Sequence, residues 1–148
     1  VRRDPVRVLA VGAIGCFIAS LLLPAFDLPL FGKVVTIRGW QATAAGLDLL
    51  TRASDPRGFL LGASAVANLV FIAAPLLLWR APSRRSVLLL MLASVAGLLL
   101  ALAAPHLLDR PPLIRSGYPV WIAAHVLLLA ALIRRLRALA SCSGESAS

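Results

Sequence analysis

The chain is 148 residues long, 60% hydrophobic and 14% charged, with a mean hydropathy of +0.91. That balance excludes an ordinary water-soluble domain and points to a single membrane domain. The formal net charge of +9 does not indicate nucleic acid, because the arginines gather at the ends of apolar runs, where they set topology and meet anionic headgroups.

The first apolar run, 8–26, is close to the ~20 residues a helix needs to cross ~30 Å of hydrocarbon. Ala13-Ile14-Gly15-Cys16 has the outline of a lipoprotein cleavage box. The run nevertheless continues through Phe26, where a cleaved protein turns polar, so an uncleaved first helix is expected. Cys16 falls in this run and Cys142 in the tail, and both are expected to be free thiols rather than a disulfide framework.

Segment 27–58 is long enough to hold structure of its own. Residues 28–37 read as two short extended pieces around Phe31-Gly32-Lys33, a small hairpin. From Trp40 onward the period changes to that of a helix. Trp40, Ala44, Leu47 and Leu50 share one face, and Gln41, Asp48 and Arg52 another, which predicts an amphipathic helix lying on the membrane surface or capping the bundle. Trp40, Leu47 and Leu50 are its candidate partner-docking residues.

Three further runs, 59–79, 87–105 and 118–133, complete the set. Trp79-Arg80 closes the second with an interfacial aromatic and a snorkelling base, and Tyr118 with Trp121 marks the entry of the fourth. Pro56, Pro82, Pro105, Pro111, Pro112 and Pro119 fall in connections or at helix edges, where a missing N–H is tolerated. Pro75 falls inside the second run and predicts a kink. The tail, 141–148, is small and polar and is expected to be disordered. Lipid offers no partner to backbone N–H and C=O groups, and strand-like alternation is scarce, so the runs are helices rather than barrel strands. The expected fold class is all-α: an integral-membrane, four-helix transmembrane bundle with a structured outer loop between helices 1 and 2.

Orientation follows from counting bases. With a cytoplasmic N-terminus, the inside segments carry nine arginines: Arg2, Arg3, Arg7, Arg80, Arg84, Arg85, Arg134, Arg135 and Arg137. The outside loops carry six bases over longer stretches: Lys33, Arg38, Arg52, Arg57, Arg110 and Arg115. Both termini are therefore expected in the cytoplasm.

Polar residues within the spans are few. At 1.5 Å per residue, Asn68 and His125 both lie roughly 10–14 Å below the outer interface, and Cys16 and Ser94 fall near the same depth. This predicts a shared polar layer in which Asn68 and His125 interact, because each is otherwise unpaired in hydrocarbon. The same two are the candidate cofactor-binding residues, since a membrane histidine can ligate haem or a chlorophyll-type pigment. The other histidine, His106, is a poor depth match for a bis-histidine site. No acid lies within a span, which argues against a carboxylate ion path. Asp48, Asp55, His106 and Asp109 are scattered in the outer loops, no metal-ligand spacing or nucleophile set is present, and no enzymatic activity is expected. Small residues predict close helix contacts along Ala93, Gly97 and Ala101, along Ala63 and Ala67, and along Gly15 and Ala19.

A first helix ending in Leu-Pro, a loop with Arg38-Gly39-Trp40, an arginine hinge, and a fourth helix opening with Gly117-Tyr118-Pro119-Val120-Trp121 together make a pattern over most of the chain. It resembles small four-helix bacterial inner-membrane proteins of no assigned activity. That resemblance implies topology and transfers no site; the paired loop cysteines and Gly-Leu-Trp of claudin-like proteins are missing. The expected function is that of an accessory or structural subunit in a larger membrane assembly, with other integral membrane subunits as partners. The alternatives are a hydrophobic cofactor or pigment protein using His125, and a small transporter.

Overall fold

Three of the long helices start where the sequence supplies a cap. In the computed structural model, which describes residues 4–30, 33–52, 54–80, 83–108 and 112–144, Asp4 caps α1 (Pro5–Leu22), its carboxylate accepting from the Val6 N–H at 3.0 Å. Asp55 caps α3 (Pro56–Val66) through the Gly58 N–H at 2.6 Å, and Ser83 caps α5 (Arg84–Leu107) through the Ser86 N–H at 3.2 Å. Pro5 and Pro56 occupy first helical positions, where no N–H is missed. α3 continues through a 3-10 turn at Ala67–Leu69 into α4 (Val70–Trp79), and α6 (Gly117–Gly144) closes the chain.

The described residues are 81% helical, and α1, α3 with α4, α5 and α6 are long and apolar enough to span a membrane. α6 packs most extensively, against α1 and α5, while α3 and α4 lie against α5 and α4 also touches α1. The core is aliphatic and aromatic, with Ala13, Phe71, Ala74, Val87, Leu90, Leu128 and Leu132 at its centre.

Several expectations are corrected. The fold is not purely helical, because a three-stranded antiparallel sheet forms in the order β2-β1-β3. α1 ends at Leu22 rather than Phe26: Pro24 starts β1 (Pro24–Leu30), whose partners are β2 (Lys33–Arg38) and the short β3 (Leu113–Ile114). Pro24 is the first strand residue and Pro29 lies outside the stretch that pairs with β3, positions where a missing donor is tolerated. The expected hairpin is thus present and longer than the sequence suggested; its tip, Phe31 and Gly32, lies outside the described residues. The irregularity in the second span is at Ala67–Leu69 and not at Pro75, which sits inside α4. Pro105 lies in the last turn of α5, at a helix edge as expected. α6 extends through Ser141 to Gly144 into the segment expected to be disordered.

The small-residue ridges also shift. On α5 the buried stripe is Ser94, Gly97, Ala101 and Ala104, with Ala93 exposed. On α1 it is Ala10, Ala13 and Ser20, while Gly15 is exposed with open space at its Cβ position. On α5 the expected Gly97 and Ala101 are buried and Ser94 takes the place of Ala93, whereas on α1 the expected Gly15 faces outward.

α2 (Gly39–Arg52) packs on the helices beside it. Its Gly39 sits on α1, where an added Cβ would stand 2.1 Å from the Ser20 carbonyl oxygen. Further along, Gly46 meets Ala65 and Leu50 meets Gly62, so α2 runs antiparallel along α3 at glycine-permitted separation.

Candidate functional site

The hairpin end of the bundle is fastened by one ion pair and several backbone bonds. Asp27 of β1 is 4% exposed, and its carboxylate accepts from Thr36 Oγ1 at 2.8 Å and from Arg115 Nε at 2.7 Å, with a second Arg115 nitrogen on the same oxygen. The Arg115 guanidinium and the Thr36 hydroxyl hold its carboxyl below the usual aspartate range. The Arg115 N–H also donates to the Ala25 carbonyl at 2.9 Å, and the Gly39 N–H to the Leu23 carbonyl at 3.1 Å. Gly117 lets α6 begin against the Pro24 carbonyl, 2.8 Å from where a Cβ would be. Asp27, Thr36 and Arg115 were singled out for no role in the sequence; only the pairing of β1 with both neighbours brings them together.

Beneath this sheet, α1, α2, α3, α5 and α6 enclose a partly open cavity of about 170 Å³. Its polar members converge on Asn68, which the sequence singled out. Asn68 Nδ2 donates to Thr43 Oγ1 at 3.1 Å, and Asn68 Oδ1 accepts from Trp121 Nε1 at 2.8 Å. One amide therefore ties α2, the 3-10 turn and α6 together. Thr43 is the member that sequence reasoning missed, because its helix carried no sign of standing at the depth of Asn68.

His125 is one turn deeper and fully buried. Its Nδ1 is 3.2 Å from the Trp121 carbonyl oxygen, and its ring meets Phe71 and Trp121 edge-on at centroid distances of 4.7 and 5.4 Å. Nε2 has no hydrogen-bond partner among the described residues, and Gly97 closes over it: a Cβ there would stand 3.1 Å from Nε2 and 2.8 Å from Ala67. His125 and Asn68 thus share Trp121 as a neighbour instead of bonding to each other. Helix backbone at Gly97 lies over Nε2, and aromatic side chains meet the ring. Cys16 is half-buried with a free thiol against the core, Ser94 Oγ is buried without a hydrogen-bond partner among the described residues, and His106 is exposed.

The three candidate docking residues separate. Trp40 is 51% exposed and Leu47 44% exposed, whereas Leu50 is half-buried against Gly62 of α3. α2 is apolar on two faces, and the inner one belongs to α3. Among the described residues no group of His, Cys, Asp and Glu is arranged to hold a metal ion.

No family model, curated protein or solved structure matches this chain.

Proposed function

We propose that this chain is a multi-pass protein of a bacterial inner membrane, with both termini in the cytoplasm, that serves as a non-catalytic accessory subunit of a larger membrane assembly. The observation that carries this reading is the α2–α3 pair. α2 begins beside the last turn of α1 and climbs away from it at ~1.5 Å per residue. Leu47, and with it Phe59 and Leu60 at the facing start of α3, stand past the end of α1; all three are more than a third exposed. Apolar side chains past the end of a spanning helix meet headgroups and water rather than hydrocarbon. The surface that best covers them is another subunit of the same membrane. The nine-to-six arginine bias supports the orientation.

Extraction from the native membrane in mild detergent, followed by native mass measurement, tests the subunit reading. A co-purifying membrane protein is expected, and its loss in Leu47→Glu and Phe59→Glu variants that still fold. A chain that runs alone at 15.6 kDa overturns it. A cytoplasmic reporter should be active after Ser148 and inactive near Thr51; the reverse pattern overturns the orientation.

A further inference from the structure

From the cavity we infer a binding site for a small neutral ligand, an apolar ring or short chain bearing a hydroxyl group that donates a hydrogen bond. This goes beyond the subunit reading and does not depend on it. Three observations converge. The first is size: about 170 Å³ is comparable to the ~150 Å³ apolar cavities known to admit a benzene-sized molecule. The second is charge, since none of the residues lining the cavity is ionisable apart from the phenol of Tyr118. A carboxylate, phosphate or ammonium group has no counter-charge there, and burying one unpaired is costly.

The third is the direction of the hydrogen bonds. The Ser20 hydroxyl donates to the Phe17 carbonyl at 2.6 Å, Thr43 to Gly39 at 3.0 Å, Ser64 to Leu61 at 2.6 Å and Tyr118 to Ala101 at 2.7 Å. The Trp121 N–H is used on Asn68 Oδ1, and an Asn68 N–H on Thr43. Each hydroxyl proton is thus already placed on a protein acceptor, and the oxygens keep lone pairs. The cavity offers acceptors in excess and one remaining N–H, the second on Asn68 Nδ2. A ligand complements that rim by bringing a donor. A hydroxyl also accepts, and so can pair with the remaining Asn68 N–H as well, which an ether or ketone does without returning a proton to the serine and tyrosine oxygens. Trp121, Tyr118 and Phe26 supply aromatic wall suited to the apolar body.

The test uses the full chain in detergent and three probes matched in size: 4-butylphenol, its methyl ether 4-butylanisole, and butylbenzene. Binding is read from the saturable rise in Tm with probe concentration. The phenol is expected to bind about five- to tenfold tighter than the ether, the value of one hydrogen bond. Ser64→Ala, which removes an acceptor bonded only within its own helix, should narrow that ratio. Ala42→Phe, which fills the cavity from α2, should abolish saturable stabilisation by the phenol. Equal affinity for phenol and ether overturns the donor assignment. Stabilisation that persists in a folded Ala42→Phe protein, or no saturable effect from any probe, overturns the site itself. None of these outcomes bears on whether a partner subunit co-purifies, so the two proposals fail separately.

Discussion

Different forces hold the deep half of the bundle and its hairpin end. In the deep half, Phe17 stacks on Phe71 at 4.4 Å, Phe71 meets His125, and Val87, Leu128 and Leu132 fill the remaining space with almost no exposed area. Apolar contact closes this half, and the buried Ser94 Oγ, His125 Nε2 and Arg135 Nε have no hydrogen-bond partner among the described residues. At the hairpin end the elements are short, the cavity keeps them from closing, and specific bonds do the fastening: Asp27 to Arg115, Asn68 to Trp121 and Thr43, Gly39 to Leu23. Dispersion and small-residue contact suffice where four helices run side by side. Where strands, a re-entering helix and helix ends meet, orphaned backbone groups and charges must be paired one at a time.

The contrast is broken most directly at Gly39. Gly39→Ala sets a methyl group onto the Ser20 carbonyl, and because the obstacle is backbone, α2 must move away from α1. A loss of about 3 kcal/mol is expected in reversible denaturation, at the upper end for overpacking, together with loss of phenol-induced stabilisation. Gly15→Ala, on the same helix pair but facing open space, should leave stability unchanged or slightly raised.

Asn68→Leu comes next. It leaves the Trp121 N–H and the Thr43 hydroxyl without their partner, and about 1–2 kcal/mol should be lost. Trp121 lies between Asn68 and His125, so a double Asn68→Leu, His125→Leu protein should lose less than the sum of the single changes by about 0.5 kcal/mol. Strict additivity in that cycle would mean that the hairpin end and the deep core do not communicate through the indole.

Asp27 gives the comparison a pH axis. Its folded pKa is depressed, so the stability it contributes is fully present above the ordinary aspartate value of about 4 and is lost as the pH falls through the folded value. The Tm of the wild-type chain should hold steady from neutral pH to about 5 and fall below about 4. Asp27→Asn should have a lower Tm at neutral pH and show less of that acid-side fall; an unchanged acid limb would assign it to other carboxylates. Arg115 is half exposed, which screens the pair and keeps the effect modest.

The smallest effect has the opposite sign. Ser94→Ala removes a hydroxyl that is buried in the deep half without a hydrogen-bond partner among the described residues, and a gain of up to about 1 kcal/mol is expected. A loss instead would show that Ser94 Oγ has a bonding role in that core.

Much of this protein was readable from sequence because length and hydropathy leave a chain little choice. Four apolar runs of near-span length become four helices. Asn68 and His125 stood out for the same reason, as polar groups in an apolar run. The phase of the helices was readable only in part: Gly15 looked like a packing residue and faces outward, while Ser94 rather than Ala93 continues the α5 stripe. In an all-apolar helix every face can be buried, and only the neighbour decides which one is. The direction of α2 was equally hidden, since Gly46 and Gly62 gain their meaning from facing Ala65 and Leu50. So was the Asp27–Arg115 pair, whose members are separated by most of the chain. The sequence by itself determined the number and approximate place of the long apolar helices, which depend on local backbone bonding and transfer energy. The tertiary structure alone decided their facing, the site around Asn68 and the lock at Asp27, because those depend on which distant groups arrive within bonding distance.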